Sequence, residues 1–270
     1  MKERSIGVFD SGLGGLTAVR QLRQMMPSEN IIYFGDTARV PYGNRSRETL
    51  LKYARQDTRF LRSFDLKAVV IACGTVSTNC LEELQRENDI PIVGVVEPAV
   101  RRAVEVTRSG RVGMVATRAS VASGAYERAF HGLDSALQVF SKACPLFVPM
   151  VEEGRCRPGD VVIETIVAEY LAELKEKDID TLVLGCTHYP LLAEVVRGYM
   201  GEGVTLVDCG AESARAVRGL LESRGLCADE RRGTTCFYTS DRAADFQRLA
   251  SLFLGEDLCY QVEQVDITKY

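Results

Sequence analysis

Short runs rich in Val, Ile, Leu and Phe alternate along the chain with longer segments of helical period. Continuous apolar runs of strand length suit strands buried on both faces, and their alternation with helices is the signature of βα units around a parallel sheet. The pattern predicts strands over 5–10, 31–35, 67–73, 91–96, 111–117, 145–149, 180–186, 203–208 and 235–239. Between them Leu50, Ala54, Leu61 and Phe64 fall on one helical face, as do Val162, Ile166, Tyr170 and Leu174. Asp160, after Pro158 and Gly159, is placed to cap the second of these helices, and Gly225 to end the one that begins near Ala211.

The strand ends repeat when the chain is cut near residue 100. IGVFDSGLGG (6–15) answers to VGMVATRAS (112–120), AVVIACGT (68–75) to TLVLGCTH (181–188), and VGVVEPA (93–99) to VTLVDCGAES (204–213). Each places a polar residue just past a buried strand; chance matching of short apolar strings is the competing reading. Ligands of open parallel sheets bind outside the carboxyl ends of strands, so two such halves facing one another would enclose a single site. Cys73 and Cys186 would then look at each other across it.

Composition narrows the class of protein. A chain of 270 residues suits two compact lobes or one large α/β domain, and 46% hydrophobic with 26% charged residues is a globular composition. The net charge of −4 excludes a nucleic-acid-binding surface, and Arg20, Arg23, Arg55 and Arg59 recur at helical spacings among acids, as on solvated helix faces. The opening MKERSIGVFDSG enters an apolar strand without room for an export signal, and no apolar run reaches membrane-spanning length, so a cytoplasmic protein is expected. Nine cysteines in such a chain are expected to be reduced thiols. With no Cys-x-x-Cys and only His131 and His188 available, no zinc site can be assembled and no metal is expected.

Cys73 ends one apolar strand and precedes Gly74, Thr75, Ser77 and Thr78, a turn into a helix expected to start near residue 78. Cys186 ends another, followed by Thr187, His188, Tyr189 and Pro190. A cysteine at a helix N-terminus meets partial positive charge and free N–H groups, which are expected to lower its pKa. A buried structural role competes for any single cysteine and is assigned to Cys80, Cys144, Cys156, Cys209, Cys227, Cys236 and Cys259. Asp10-Ser11-Gly12 closes the first strand, where glycines 12, 14 and 15 let backbone approach a carboxylate or phosphate ligand. GLGGLT lacks both a dinucleotide fingerprint and a phosphate loop, leaving a plain βα turn as the alternative. His188 can hold a thiolate, and Glu152 could reach it and set its tautomer, with a surface role as the alternative for Glu152. Two opposed thiols suit inversion of a stereocentre: one removes the α-proton while the other returns a proton to the opposite face. Ser11, Thr75, Thr117 and Thr187 are candidate donors for substrate carboxylates.

The strings IGVFDSGLGGLTAVRQL, YFGDTARVPYG, VIACGTVST, VGVVEPAV, CPLFVPMVEEG, LVLGCTHYPLL and FYTSDRAADFQRLASLFLG together resemble the glutamate racemases of bacterial cell-wall synthesis, nearly end to end. The resemblance implies two pseudosymmetric α/β lobes, each with a mainly parallel sheet flanked by helices and the site between them: residues 1–97 with 209–270, and residues 98–208. It implies cofactor-free interconversion of L- and D-glutamate for peptidoglycan, and a homodimer without nucleic-acid or membrane partners. Carried over by position, the catalytic thiols are Cys73 and Cys186, with Asp10 and His188 assisting and Glu152 near the histidine. Substrate contacts fall on Asp10, Ser11, Tyr42, Gly43, Gly74, Thr75, Thr187 and His188, with Thr117 in addition. The family pattern usually has Asn where this chain has Gly74, which removes an expected side-chain amide and leaves backbone or water in its place. Aspartate racemisation, or amino-acid binding without catalysis on the same scaffold, are the alternative functions.

Overall fold

In the computed structural model, which describes residues 1–229, 232–256 and 261–270, the apolar runs become the strands of two wholly parallel sheets. The strands are β1 (Ser5–Asp10), β2 (Ile31–Gly35), β3 (Leu66–Ile71), β4 (Ile92–Val93), β5 (Arg111–Ala116), β6 (Gln138–Ala143), β7 (Thr181–Leu184), β8 (Thr205–Asp208), β9 (Thr235–Thr239) and β10 (Val262–Gln264). The first sheet runs β10-β9-β2-β1-β3-β4 and the second β6-β5-β7-β8. The order β2-β1-β3-β4 is therefore repeated as β6-β5-β7-β8, and the paired strings of the sequence repeat lie on β1 and β5, β3 and β7, β4 and β8. Val8 pairs with Tyr33 and Val70, and Met114 with Ser141 and Val183, so a buried apolar residue occupies the middle of each sheet.

The helices after the corresponding strands β4 and β8, Val96–Val106 and Cys209–Ser223, pack against each other, and the second also packs on Leu16–Met25. One apolar cluster runs from Val8 and Tyr33 in the first sheet through Tyr189 to Leu182 in the second sheet and Leu171 on the helix Val161–Glu176, so both halves share a core. Among the described residues no helix is long and apolar enough to cross a membrane.

Several boundaries differ from the sequence pattern for local reasons. Residues 145–149 are not a strand: they lead into the helix Phe147–Glu152, whose Phe147 and Val151 plug the core. The strand of that region is β6, an edge strand whose residues are mostly half-buried and so lack a continuous apolar run. β4 shortens to two residues because Val96 already begins a helix. The helix after Cys73 spans Gly74–Asn79, starting earlier than the expected position. Phe64 lies beyond the helix Arg47–Leu61 and meets Phe60 edge-on at 5.3 Å. The helix Val161–Glu176 is capped by Asp160, which accepts from Val162 N–H at 3.0 Å, but its buried stripe is Ile163, Val167, Leu171 and Leu174 rather than Val162, Ile166 and Tyr170. Gly225, at φ +62°, ends Cys209–Ser223 with the paired bonds Gly225 N–H to Glu222 O (3.1 Å) and Leu226 N–H to Leu221 O (2.9 Å), which glycine at this position favours.

Candidate active site

The carboxyl ends of β1, β3, β5 and β7 meet around a cavity of about 580 Å³. Asp10, Ser11, Tyr42, Gly43, Cys73, Gly74, Thr75, Thr117, Glu152, Cys186, Thr187 and His188 all line it. The catalytic and substrate-contact candidates are thus brought to one place, as is Gly12, whereas Gly14 and Gly15 do not line the cavity. Of the cysteines assigned a structural role, Cys80, Cys144, Cys156 and Cys209 are buried elsewhere, Cys227 is half-buried, Cys236 is exposed, and Cys259 lies outside the described residues.

Two close approaches hold the halves together. A Cβ built on Gly14 would stand 2.2 Å from Thr187 Oγ1 and 2.4 Å from His188 Nδ1, so the β1 turn is seated directly on the turn that carries Cys186. Thr17 Oγ1 donates to Thr187 O at 3.0 Å across the same contact. The glycine in DSGLGG at position 14 thus serves contact between the halves, a use its ligand-facing reading did not include. On the other flank a Cβ on Gly74 would stand 2.6 Å from Gly185 O, and Thr75 and Thr117 share a hydrogen bond of 3.1 Å.

The two thiols sit in unlike surroundings. Cys73 is the N-cap of Gly74–Asn79, and its S–H donates to Ser11 Oγ at 3.6 Å. Burial, reinforced by the charge of Asp10, pushes this thiol up to about 12, with hydrogen bonds from Ser11 and the Val76 N–H only partly offsetting it. The expected lowering at a helix N-terminus is overturned here because desolvation outweighs the few N–H dipoles of so short a helix. Asp10 itself is buried and raised by that burial, against the opposing pull of His188 and of backbone N–H groups, one of them Gly12 N–H at 3.1 Å from Oδ2.

Cys186 is followed by the short turn Tyr189–Leu192 with Pro190 in its first positions, not by a full helix as at Cys73. Its Sγ lies 3.9 Å from His188 Nδ1, while His188 Nε2 lies 3.1 Å from Glu152 Oε1. Burial alone would lower the imidazole, but hydrogen bonds to Cys186 and Glu152 and the charges of both raise it to about 10. His188 is therefore held as an imidazolium at neutral pH, donating from both ring nitrogens. Phe253, from the helix Ala243–Leu254, packs edge-on against the ring at 5.2 Å.

The sequence pattern missed Arg118, Leu146, Val148 and Tyr170, which also line the cavity. Arg118 follows Thr117 at a strand end and was findable on that ground. The other three are apolar or aromatic residues whose sequence context is that of core. Nothing near Phe253 in sequence links it to His188.

A thiol thus stands at the corresponding strand end of each of two parallel sheets, both lining one cavity with Asp10, Glu152 and His188, residue types that can move protons. The chain belongs to the Asp/Glu/Hydantoin racemase family, whose sequence profile matches residues 17–217, and it is an isomerase of the racemase class. Its relatives include glutamate racemases. That of Geobacter metallireducens is 45% identical over 265 residues, 97% of each chain. The crystal structure of glutamate racemase isoform RacE1 from Bacillus anthracis has 38% identity and a TM-score of 0.93 over 98% of each chain. That of glutamate racemase from Francisella tularensis, in complex with D-glutamate, has 35% identity and a TM-score of 0.92 over 100% of each chain.

Proposed function

We propose that this protein interconverts L- and D-glutamate by a two-base exchange of the α-proton between Cys73 and Cys186, without a cofactor. The observation that carries the reading is the placement of two free thiols on matching strand ends around one cavity, with Asp10 and Ser11 beside the first and the His188–Glu152 pair behind the second.

The chemistry follows from the unlike surroundings. Cys73, with its thiol pushed up to about 12, starts as the proton donor. Cys186, with His188 Nδ1 3.9 Å from its Sγ, is assigned as the base in this direction. Cys186 removes the α-proton from the face turned toward it, and the electron pair passes into the α-carboxylate. Cys73 S–H then delivers its proton to the opposite face, leaving Cys73 as thiolate and Cys186 as thiol; the starting state returns when Cys186 releases its proton to solvent and Cys73 takes one back, with buried Asp10 beside it to relay it. Turnover of the other enantiomer runs the same steps backwards, so each thiol serves as acid in one direction and base in the other.

Hydroxyls of Ser11, Thr75, Thr117 and Thr187 are assigned to the substrate carboxylates. Tyr42 contributes through its backbone together with Gly43, because its hydroxyl is turned to Asp36 and Asp57. Gly74 contributes backbone only. The enclosing lobes are assigned to residues 1–97 with 209–270 and to residues 98–208, a division that the strand membership of the two sheets supports. The biological role assigned is supply of D-glutamate for peptidoglycan in the cytoplasm, with the homodimer that the family resemblance implies as the working assembly.

Circular dichroism of purified protein with L-glutamate, D-glutamate, L-aspartate and D-aspartate tests the substrate. Loss of signal from both glutamate enantiomers at matched rates is expected. Preferred turnover of aspartate would replace glutamate, and no turnover of any of the four would leave a binding protein.

A further inference from the structure

The cavity wall formed by Val40, Pro41, Tyr42 and Gly43 is anchored from behind by a cluster that the mechanism does not use. Asp36 and Asp57 are both fully buried, and Arg39 lies between them, with Nε donating to Asp36 Oδ2 at 2.5 Å and Nη2 to Asp57 Oδ1 at 2.8 Å. Arg39 Nη1 donates to Gln56 Oε1 at 2.6 Å, and the guanidinium covers the Tyr53 ring at 4.1 Å. The Tyr42 hydroxyl donates to Asp36 Oδ2 and stands 3.1 Å from Asp57 Oδ2.

Proton counting bears on the state of this cluster. A phenol has one proton, and here it goes to Asp36. The same O–H also faces Asp57 Oδ2 at 3.1 Å, and one proton cannot fully serve two carboxylate oxygens, so a second proton, on Asp57, would complete the pair. Charge counting agrees, since one guanidinium balances one buried carboxylate and not two. Burial, and then the neighbouring charge of Asp36, raise Asp57 well above the ordinary carboxylate range.

We propose that Asp57, as a neutral carboxylic acid, is a positioning residue for racemisation: with Asp36, Arg39 and Tyr42 it forms a charge-balanced clamp that fixes the Val40–Gly43 turn as a wall of the substrate cavity. The inference rests on the glutamate reading for what occupies the turn. The turn has little slack on its other side, because Gly43 packs on Thr117, with a Cβ built there 3.4 Å from Thr117 Cβ, and Thr117 is bonded to Thr75. A shift of the turn is therefore a shift of the wall formed by these threonines.

The test compares Asp57→Ala with its isostere Asp57→Asn, in protein shown to be folded by circular dichroism. Asp57→Ala is expected to raise KM for glutamate about tenfold or more while changing kcat less than about threefold, because misplacing a binding wall costs alignment rather than acid/base groups. Asp57→Asn, neutral like the acid it replaces, is expected to stay within about twofold of the parent in both. Folded Asp57→Ala with unchanged KM, or Asp57→Asn as impaired as Asp57→Ala, overturns the clamp. Should Asp57→Ala not fold, Tyr42→Phe takes its place and is expected to raise KM where Asp57→Asn does not. Amide hydrogen exchange over residues 40–44 gives a readout independent of turnover: faster exchange in Asp57→Ala or Tyr42→Phe and parent-like exchange in Asp57→Asn support the clamp, and equal exchange in all overturns it. A parent protein inactive on glutamate sinks the substrate reading alone, and the exchange data still decide the clamp.

Discussion

Gly74 lies directly against Gly185: a Cβ on Gly74 would come within 2.6 Å of the Gly185 carbonyl oxygen, on the backbone that presents Cys186. The residue after Cys73 is thus in contact with the backbone that positions Cys186. Backbone cannot yield as a flexible side chain can, so a substituent at 74 must move the two turns apart by several tenths of an ångström. Displacements of this order at reacting groups are costly, about 10²-fold for 1 Å. Gly74→Ala is expected to lower kcat/KM for glutamate by roughly tenfold or more, through kcat. Steady-state kinetics in both directions check this, and a variant within twofold of the parent would show that the turns have room to spare.

The pair His188 and Glu152 makes a prediction in pH. The chain has two histidines, so imidazole resonances in an NMR titration are few, and a His131→Gln variant assigns them. His188 is expected to titrate near 10, above its ordinary 6.5, and Cys186→Ala or Glu152→Gln should each bring it down. Because its folded-state pKa is raised, the stability it contributes is fully present below about 6.5 and is lost as pH rises toward 10. The melting temperature of the parent should therefore fall over that window more steeply than that of His188→Asn. Titration of His188 near 6.5 in the folded protein would remove the imidazolium from the mechanism.

Lys67 gives a prediction about stability without function. Its buried ammonium pairs with buried Glu29 and donates to Lys2 O at 2.8 Å and Leu226 O at 2.9 Å, away from the cavity. Lys67→Ala strands the Glu29 charge in the interior and is expected to cost about 3–5 kcal/mol in urea unfolding. KM for glutamate in the folded fraction should not change.

How much was legible in the sequence depends on the range over which the signal acts. β1, β3, β5 and β7 are central strands with continuous apolar runs, so their ends and the polar residues just past them could be read directly. β6 and β10 are edge strands, one half-exposed and one of three residues, and neither carries a two-sided apolar run. CPLFVPM reads as a strand by apolarity alone, yet its prolines and the packing of Phe147 on Tyr189 and Tyr170 make it a turn and a helix. At the site, Cys73 and Cys186 were findable because each stands at the same place in a repeated string. The direction in which Cys73 is shifted was not, since the helix N-terminus is local and visible whereas burial beside Asp10 is made by the fold. The Asp36–Asp57 pair and the Phe253–His188 contact join distant segments, and no local pattern marks them.

Under the proposed two-thiol exchange, removal of either thiol should cost racemisation about 10³-fold or more. Cys73→Ala and Cys186→Ala test this, and because the enantiomers are equal in free energy, kcat/KM must fall equally in both directions. Retained activity in either variant would remove that cysteine from the reaction.

The most direct test of two opposed bases is racemisation in D₂O, started separately from pure L- and pure D-glutamate and stopped early. Mass spectrometry after chiral separation then locates the deuterium. Two thiols on opposite faces predict one α-deuterium in the product enantiomer and none in the recovered starting enantiomer, from both directions. Equal labelling of recovered substrate and product would mean that one base serves both faces, and no label in either would mean that the α-proton is never exchanged; both results contradict the account.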